Sequence, residues 1–177
     1  MTKSPFSPLY VLMEILSGLA LIGIAGVILA DVGLRFVGGQ VPASDDFSGY
    51  GLVAVLFLGL APAYRRGEHI RVGLLVDRLG GPVRHGLEVV LLGLATVGIT
   101  WAAFWSGRLA YDSWRFHDVA QGLVPVPLWM PQLSMVVGLT VFALALAEDL
   151  LRAAKGGTPS HLAQAALAAD AAPTFER

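Results

Sequence analysis

The sequence predicts an all-α membrane protein with four transmembrane helices and a short amphipathic interfacial helix between the second and third. Three observations lead there. Ile15–Ala30, Phe47–Tyr64, Val89–Gly107 and Val119–Ala147 contain no Asp, Glu, Lys or Arg. At about 1.5 Å of rise per residue, some 18 to 20 helical residues cross a hydrocarbon layer of about 30 Å. Hydrophobic residues make up 55% of the 177-residue chain and charged ones 14%, against roughly 45–50% and 25% in soluble domains. The third observation is the uneven placement of the basic residues. If loops are numbered by the four helices, Lys3, Arg65, Arg66, Arg71, Arg78, Arg84, Arg152, Lys155 and Arg177 fall on one side, and Arg35, Arg108 and Arg115 on the other. Basic residues in short loops stay cytoplasmic, so both termini are expected there.

The expected spans are about 11–34, 46–64, 87–108 and 131–148, within a membrane domain of 1–155 that is followed by a flexible cytoplasmic tail, 156–177. The first helix is expected to start near Leu9 as a retained anchor rather than a cleaved signal. Asp31 and Arg35 near its outer end are four apart and share a helical face. Gly38, Gly39 and Pro42 break it. Ser44 then precedes Asp45 and Asp46, a start signal in which a hydroxyl caps the helix and carboxylates meet its positive end. Pro62 interrupts the last turns of that second helix, which closes on Arg65 and Arg66.

Residues 69–79 are too few to span and too apolar for a plain linker. A helix lying in the headgroup plane would bury Ile70 and Leu74 while Arg71 and Arg78 snorkel to water. The third helix turns aromatic toward its outer end, at Trp101, Phe104, Trp105, Tyr111 and Trp114, and is expected to protrude beyond the hydrocarbon. Pro125, Pro127 and Pro131 then forbid a regular helix interior, which puts the fourth start at or near Pro131. Glu148, Asp149, Arg152 and Lys155 close that helix at the cytoplasmic rim.

Catalytic chemistry finds little to work with. Cysteine is absent, so disulfides and thiolate chemistry are excluded. The four histidines, His69, His85, His117 and His161, have no metal-ligand spacing, and no cofactor or metal is expected. No phosphate-cradling glycine motif occurs, and the arginines fit anionic lipid and topology better than nucleic acid. The middles of the second, third and fourth helices hold no ionisable residue, and Thr96, Thr100, Ser134 and Thr140 can bond their own preceding turns. Glu14 is the one carboxylate placed to couple an ion to transport.

Several segments taken together resemble a known family. They are Asp45-Asp46-Phe47-Ser48-Gly49-Tyr50, Phe57-Leu58-Gly59 and, most specifically, Arg65-Arg66-Gly67-Glu68-His69-Ile70-Arg71-Val72 after a leucine-rich span. Arg35 and the Ser113 region with Pro127-Leu128-Trp129 fit the same pattern. The chain is similar over roughly Leu9 to Leu151 to the DctQ-like small membrane subunit of tripartite ATP-independent periplasmic (TRAP) transporters. It departs in carrying Asp45-Asp46 where that family is usually glutamate-rich, and Gly73 where an aspartate is frequent.

The resemblance implies an accessory subunit in the bacterial inner membrane, bound to a large permease subunit. That permease receives an organic acid from an extracytoplasmic solute-binding protein and imports it on a sodium gradient. It also implies contact roles, with partner or lipid, for Arg35, Asp45, Asp46, Arg65, Arg66, His69, Ile70, Arg71, Leu74 and Trp129, and no catalytic residue. Two other readings compete. One is a stand-alone proton-coupled exchanger using Glu14. The other is a lipid-modifying membrane enzyme using His69 or His117 for proton transfer.

Overall fold

A computed structural model describes residues 6–66 and 81–156, all in helices and short connections. The expected interfacial helix at 69–79 and the tail from 157 onward lie outside the described residues. Four helices in the described part are long and apolar enough to cross a membrane.

Helix α1, Ser7–Arg35, starts two residues before the expected Leu9. Pro8 explains the difference: a proline in the first turn lacks only an N–H that has no helical partner there. Its C-terminal end closes as the glycines predict. Gly38 takes a left-handed φ of 78°, its N–H donates to Arg35 O, and the Gly39 N–H donates to Leu34 O at 2.9 Å. Both orphan carbonyls are thereby satisfied.

Helix α2, Ser44–Arg66, has Asp45 and Asp46 in its first turn, Arg65 and Arg66 in its last, and a buried Pro62 between. Helix α3, Gly81–Arg115, runs for 35 residues, about 52 Å at 1.5 Å each, so it must protrude from a 30 Å hydrocarbon layer. Its C-terminal end repeats the closure of α1 with a different residue. His117 adopts φ 56°, and the N–H groups of His117 and Asp118 donate to Trp114 O and Ser113 O.

The chain then doubles back in a narrow strap. Ala120 N–H donates to Val126 O and Leu128 N–H to Asp118 O, closing an antiparallel bridge between Val119 and Pro127. Helix α4, Trp129–Ala154, begins two residues ahead of the expected Pro131. That proline is still within the first turn, where its missing N–H breaks no intrahelical bond.

The helices do not close into a square bundle. The main packings are α1 on α2, α2 on α4, and α4 on α3, so the spatial order is a row, α1-α2-α4-α3. Contacts that climb together, Phe57 with Gly138 and Tyr64 with Phe142, make α2 and α4 parallel. Helix α1 runs antiparallel on α2, with the Ser17 hydroxyl donating to Val55 O at 3.0 Å. Gly138 has no Cβ to separate it from the Phe57 carbonyl, and Gly51 lies against Ile24 in the same way.

The core clusters around Tyr10, Met13, Leu58, Tyr64, Phe142 and Leu146. Away from it, the most apolar windows of α1 and α3 are only 6% buried, against 33% in α4. Such faces are tolerable in lipid or against another membrane protein, not in water. The hydroxyls of Thr96, Thr100 and Thr140 donate to the carbonyls four residues back, and Ser134 to the one three back, all at 2.7 Å. These groups bond within their own helices, as expected of isolated hydroxyls in an apolar span.

Candidate functional site

The charged side chains of the described residues gather mainly toward the two ends of the row. At the end expected to be cytoplasmic, the inner end, Arg65 Nη1 donates to Glu148 Oε2 at 2.8 Å. The Tyr10 hydroxyl donates to the same oxygen at 3.3 Å, and the Arg65 guanidinium carbon lies 4.4 Å from the Tyr10 ring centroid. One residue away on each helix, the Tyr64 hydroxyl donates to Asp149 Oδ2 at 3.2 Å. Asp149 Oδ1 is also 3.9 Å from Arg152, and the Asp149 side chain is 1% exposed. Arg66 pairs with Glu14 nearer to solvent, both about half exposed. Three helices are therefore tied together: Tyr10 and Glu14 on α1, Tyr64 to Arg66 on α2, and Glu148, Asp149 and Arg152 on α4.

This arrangement is structural chemistry rather than catalysis. Each carboxylate accepts from a cation or a phenol on a neighbouring helix or turn. Leaving either buried acid unpaired would cost more than the pair contributes. Glu14, the residue on which an ion-coupled exchanger would depend, sits in an exposed rim pair with Arg66.

At the outer end, Arg35 clamps Asp31, with Nη2 to Oδ2 at 2.6 Å and Nε to the same oxygen at 2.9 Å. The Val41 N–H donates to Asp31 Oδ1 at 2.8 Å, and the hydroxyl of buried Ser44 faces the same carboxylate. One acid thus fastens the α1–α2 loop to the start of α2. Asp46 lies against Gly122 at the tip of the strap, while Asp45 is exposed. Trp129 opens α4 and lines a groove with Trp114 of α3. Among the described residues no group of three or more His, Asp or Glu is placed to hold a metal ion.

The residues singled out by sequence thus fall into two sets. Arg65 and Arg66 come together at the inner end, already engaged by Glu148 and Glu14. Arg35, Asp45, Asp46 and Trp129 stand at the outer end, where Arg35 is engaged by Asp31. His69, Ile70, Arg71 and Leu74 lie outside the described residues. Sequence reasoning missed Tyr10 and Glu148 as partners of Arg65, Glu14 as the partner of Arg66, and the Tyr64–Asp149 bond beside them. The signal was present in the two terminal runs, Tyr64-Arg65-Arg66 and Glu148-Asp149, but only the parallel packing of α2 and α4 brings those runs level.

Four apolar helices in one layer, with ionic groups drawn to the rims and contact surface to spare, define an integral membrane subunit. The family described as tripartite ATP-independent periplasmic transporters, DctQ component, matches residues 24–156. The chain belongs to that family: it is a small membrane subunit of a TRAP transporter, a multi-pass protein of the inner membrane. Membership implies association with a large permease subunit and a solute-binding protein. No curated protein matches the chain.

Proposed function

We propose that this subunit is a fixed brace for its large permease partner, in a complex that imports an organic acid on a sodium gradient. The observation that carries this reading is the inner-end network, which ties α1, α2 and α4 through Arg65–Glu148, Tyr10–Glu148 and Tyr64–Asp149. A transporter that alternates between inward- and outward-open states needs one part to stay still while another moves. Ion pairs between helix ends resist sliding, and apolar mid-spans offer no route for a charged solute.

In this reading both termini are cytoplasmic. Residues 1–155 form the membrane domain, 69–79 an interfacial helix, and 156–177 a tail. Arg35, Asp45, Asp46 and Trp129 face the solute-binding protein or the outer rim of the permease. On the inner side, His69, Ile70, Arg71 and Leu74 meet anionic headgroups or the permease. Arg65 and Arg66 act there chiefly by holding the helix ends.

The deciding experiment is co-purification in mild detergent followed by reconstitution. The full chain is expected to hold the large permease and, by itself, to move no solute. Ion-coupled flux through the chain alone, abolished by Glu14→Gln, would replace the brace with the exchanger.

A further inference from the structure

We propose that the outer groove between α3 and α4 binds one anionic phospholipid, with an acyl chain in the groove and the phosphate held by Arg108. The groove is open along one side and offers roughly 330 Å³ between Gly107, Ala110 and Trp114 of α3 and Trp129, Leu133 and Val136 of α4. Its walls are carbon, and no side chain within it offers a charge. Such a slot takes an alkyl chain and rejects an ionic group.

Depth identifies the leaflet. A Cβ on Gly107 would stand 4.0 Å from Val136, so the neighbouring Arg108 is level with Val136. That level is seven residues along α4 from Trp129, about 10 Å inward from the start of the helix. Arg108 is exposed on a helix that forms one end of the row. Among the described residues no carboxylate lies within ion-pair distance of it. The expected third span ends at 108, so Arg108 stands at the level where the hydrocarbon gives way to lipid phosphates, which its guanidinium can hold.

Position along α3 joins the two halves of the site. Gly107, Ala110 and Trp114 follow helical spacing on the face toward α4. Arg108 and Arg115 are seven residues apart and stack along the adjacent flank, on the side of Tyr111, with the single carboxylate Asp112 between them. Arg115 stands about 10 Å further out, its guanidinium carbon 5.7 Å from the Phe116 ring centroid. A lipid with one chain in the groove therefore passes its headgroup along a flank where Arg108 and Arg115 outnumber the one carboxylate, Asp112. A neutral zwitterionic lipid gains less there, because its ammonium meets the same arginines. The inference rests on the chain spanning the membrane and not on its role in transport.

The test uses the full chain with its permease, in proteoliposomes of equal parts phosphatidylglycerol and phosphatidylcholine. A photo-crosslinking residue replaces Leu133, which lines the groove and is 44% exposed. The expected product is a lipid adduct in which phosphatidylglycerol exceeds phosphatidylcholine by about fivefold, or roughly 1 kcal/mol. Arg108→Gln should bring that ratio to about one while Arg108→Lys keeps most of it, which separates charge recognition from any loss of fold. Adducts at the bulk ratio, a ratio indifferent to Arg108→Gln, or a crosslink to the permease chain would each overturn the assignment. Failure of the brace reading would show instead as loss of the permease during purification, which leaves the lipid ratio measurable.

Discussion

Replacing Gly138 with alanine tests how the row is held together. A Cβ at this position would overlap the Phe57 carbonyl oxygen and stand 2.9 Å from Phe57 Cβ. Two carbons rest at about 3.5–4.0 Å, so α2 and α4 must separate locally by about 1 Å. Overpacking of that kind costs about 1–3 kcal/mol. The better helix propensity of alanine returns up to about 1 kcal/mol, so a net loss of about 1–2 kcal/mol is expected. The separation should also reach the Tyr64–Asp149 and Arg65–Glu148 bonds further along the same helix pair. Gly98→Ala is the internal control, because nothing lies within 4 Å of the Cβ it would add. Denaturant titration of the purified protein in mild detergent, followed by helical circular dichroism, measures both. If Gly138→Ala unfolds at or above the midpoint of Gly98→Ala, the close approach of α2 and α4 is not what sets the packing.

The inner network should show strong coupling. Arg65→Met and Glu148→Gln are each expected to cost about 2 kcal/mol, and the double variant clearly less than their sum, since each single change strands a partner that is mostly buried; additive losses in a double-mutant cycle would contradict the pairing. Glu14→Gln, by contrast, removes an ion pair that is half exposed, so a stability change under about 0.5 kcal/mol is expected. Solute uptake by the assembled transporter should also be unchanged, and a lost ion dependence in flux assays would be the contrary result. At His117, where φ is 56°, glycine should be tolerated or stabilise slightly, while valine should cost about 1–2 kcal/mol. The reverse order in thermal unfolding would remove the cap role and bring back proton transfer as an explanation for this histidine.

Much of the fold could be read from the chain because lipid imposes simple requirements. Apolar length, glycine and proline punctuation and aromatic boundaries locate the starts of α1, α2 and α4 to about two residues, while α3 runs six residues before and seven beyond its expected span, and the differences at Ser7 and Trp129 have one cause. In both places a proline sits in the first turn, where it is compatible with helix, and the sequence reading set the boundary at or just after the proline. The Asp31–Arg35 clamp was also legible, since i and i+4 on one helix must meet. The inter-helix partners were not. Arg65 was expected to face headgroups, yet it meets Glu148, 83 residues away. Nothing local to either residue reports that α2 and α4 run parallel and adjacent. His117 was weighed only for its imidazole, whereas its backbone conformation is what ends α3.

The row also distributes specificity unevenly, and this bears on how the subunit can brace a partner. Lipid supplies no hydrophobic drive for helices to associate, so each seam must hold by close packing or polar bonds. The α1–α2 seam has the Ser17–Val55 bond, the Gly51 contact and the Asp31 knot. The α2–α4 seam has Gly138, Tyr64–Asp149 and Arg65–Glu148. The α3–α4 seam, by comparison, is marked by ordinary van der Waals contact between Gly107 and Val136 and by an open apolar groove beside it. A force applied through α1 or α2 is therefore transmitted to α4 by these polar bonds, and from α4 to α3 by the most extensive packing of the three seams and by the Val119–Pro127 strap. On the proposed brace reading, a permease held against this row keeps its reference frame because all three seams hold, two by polar bonds and the third by extensive packing.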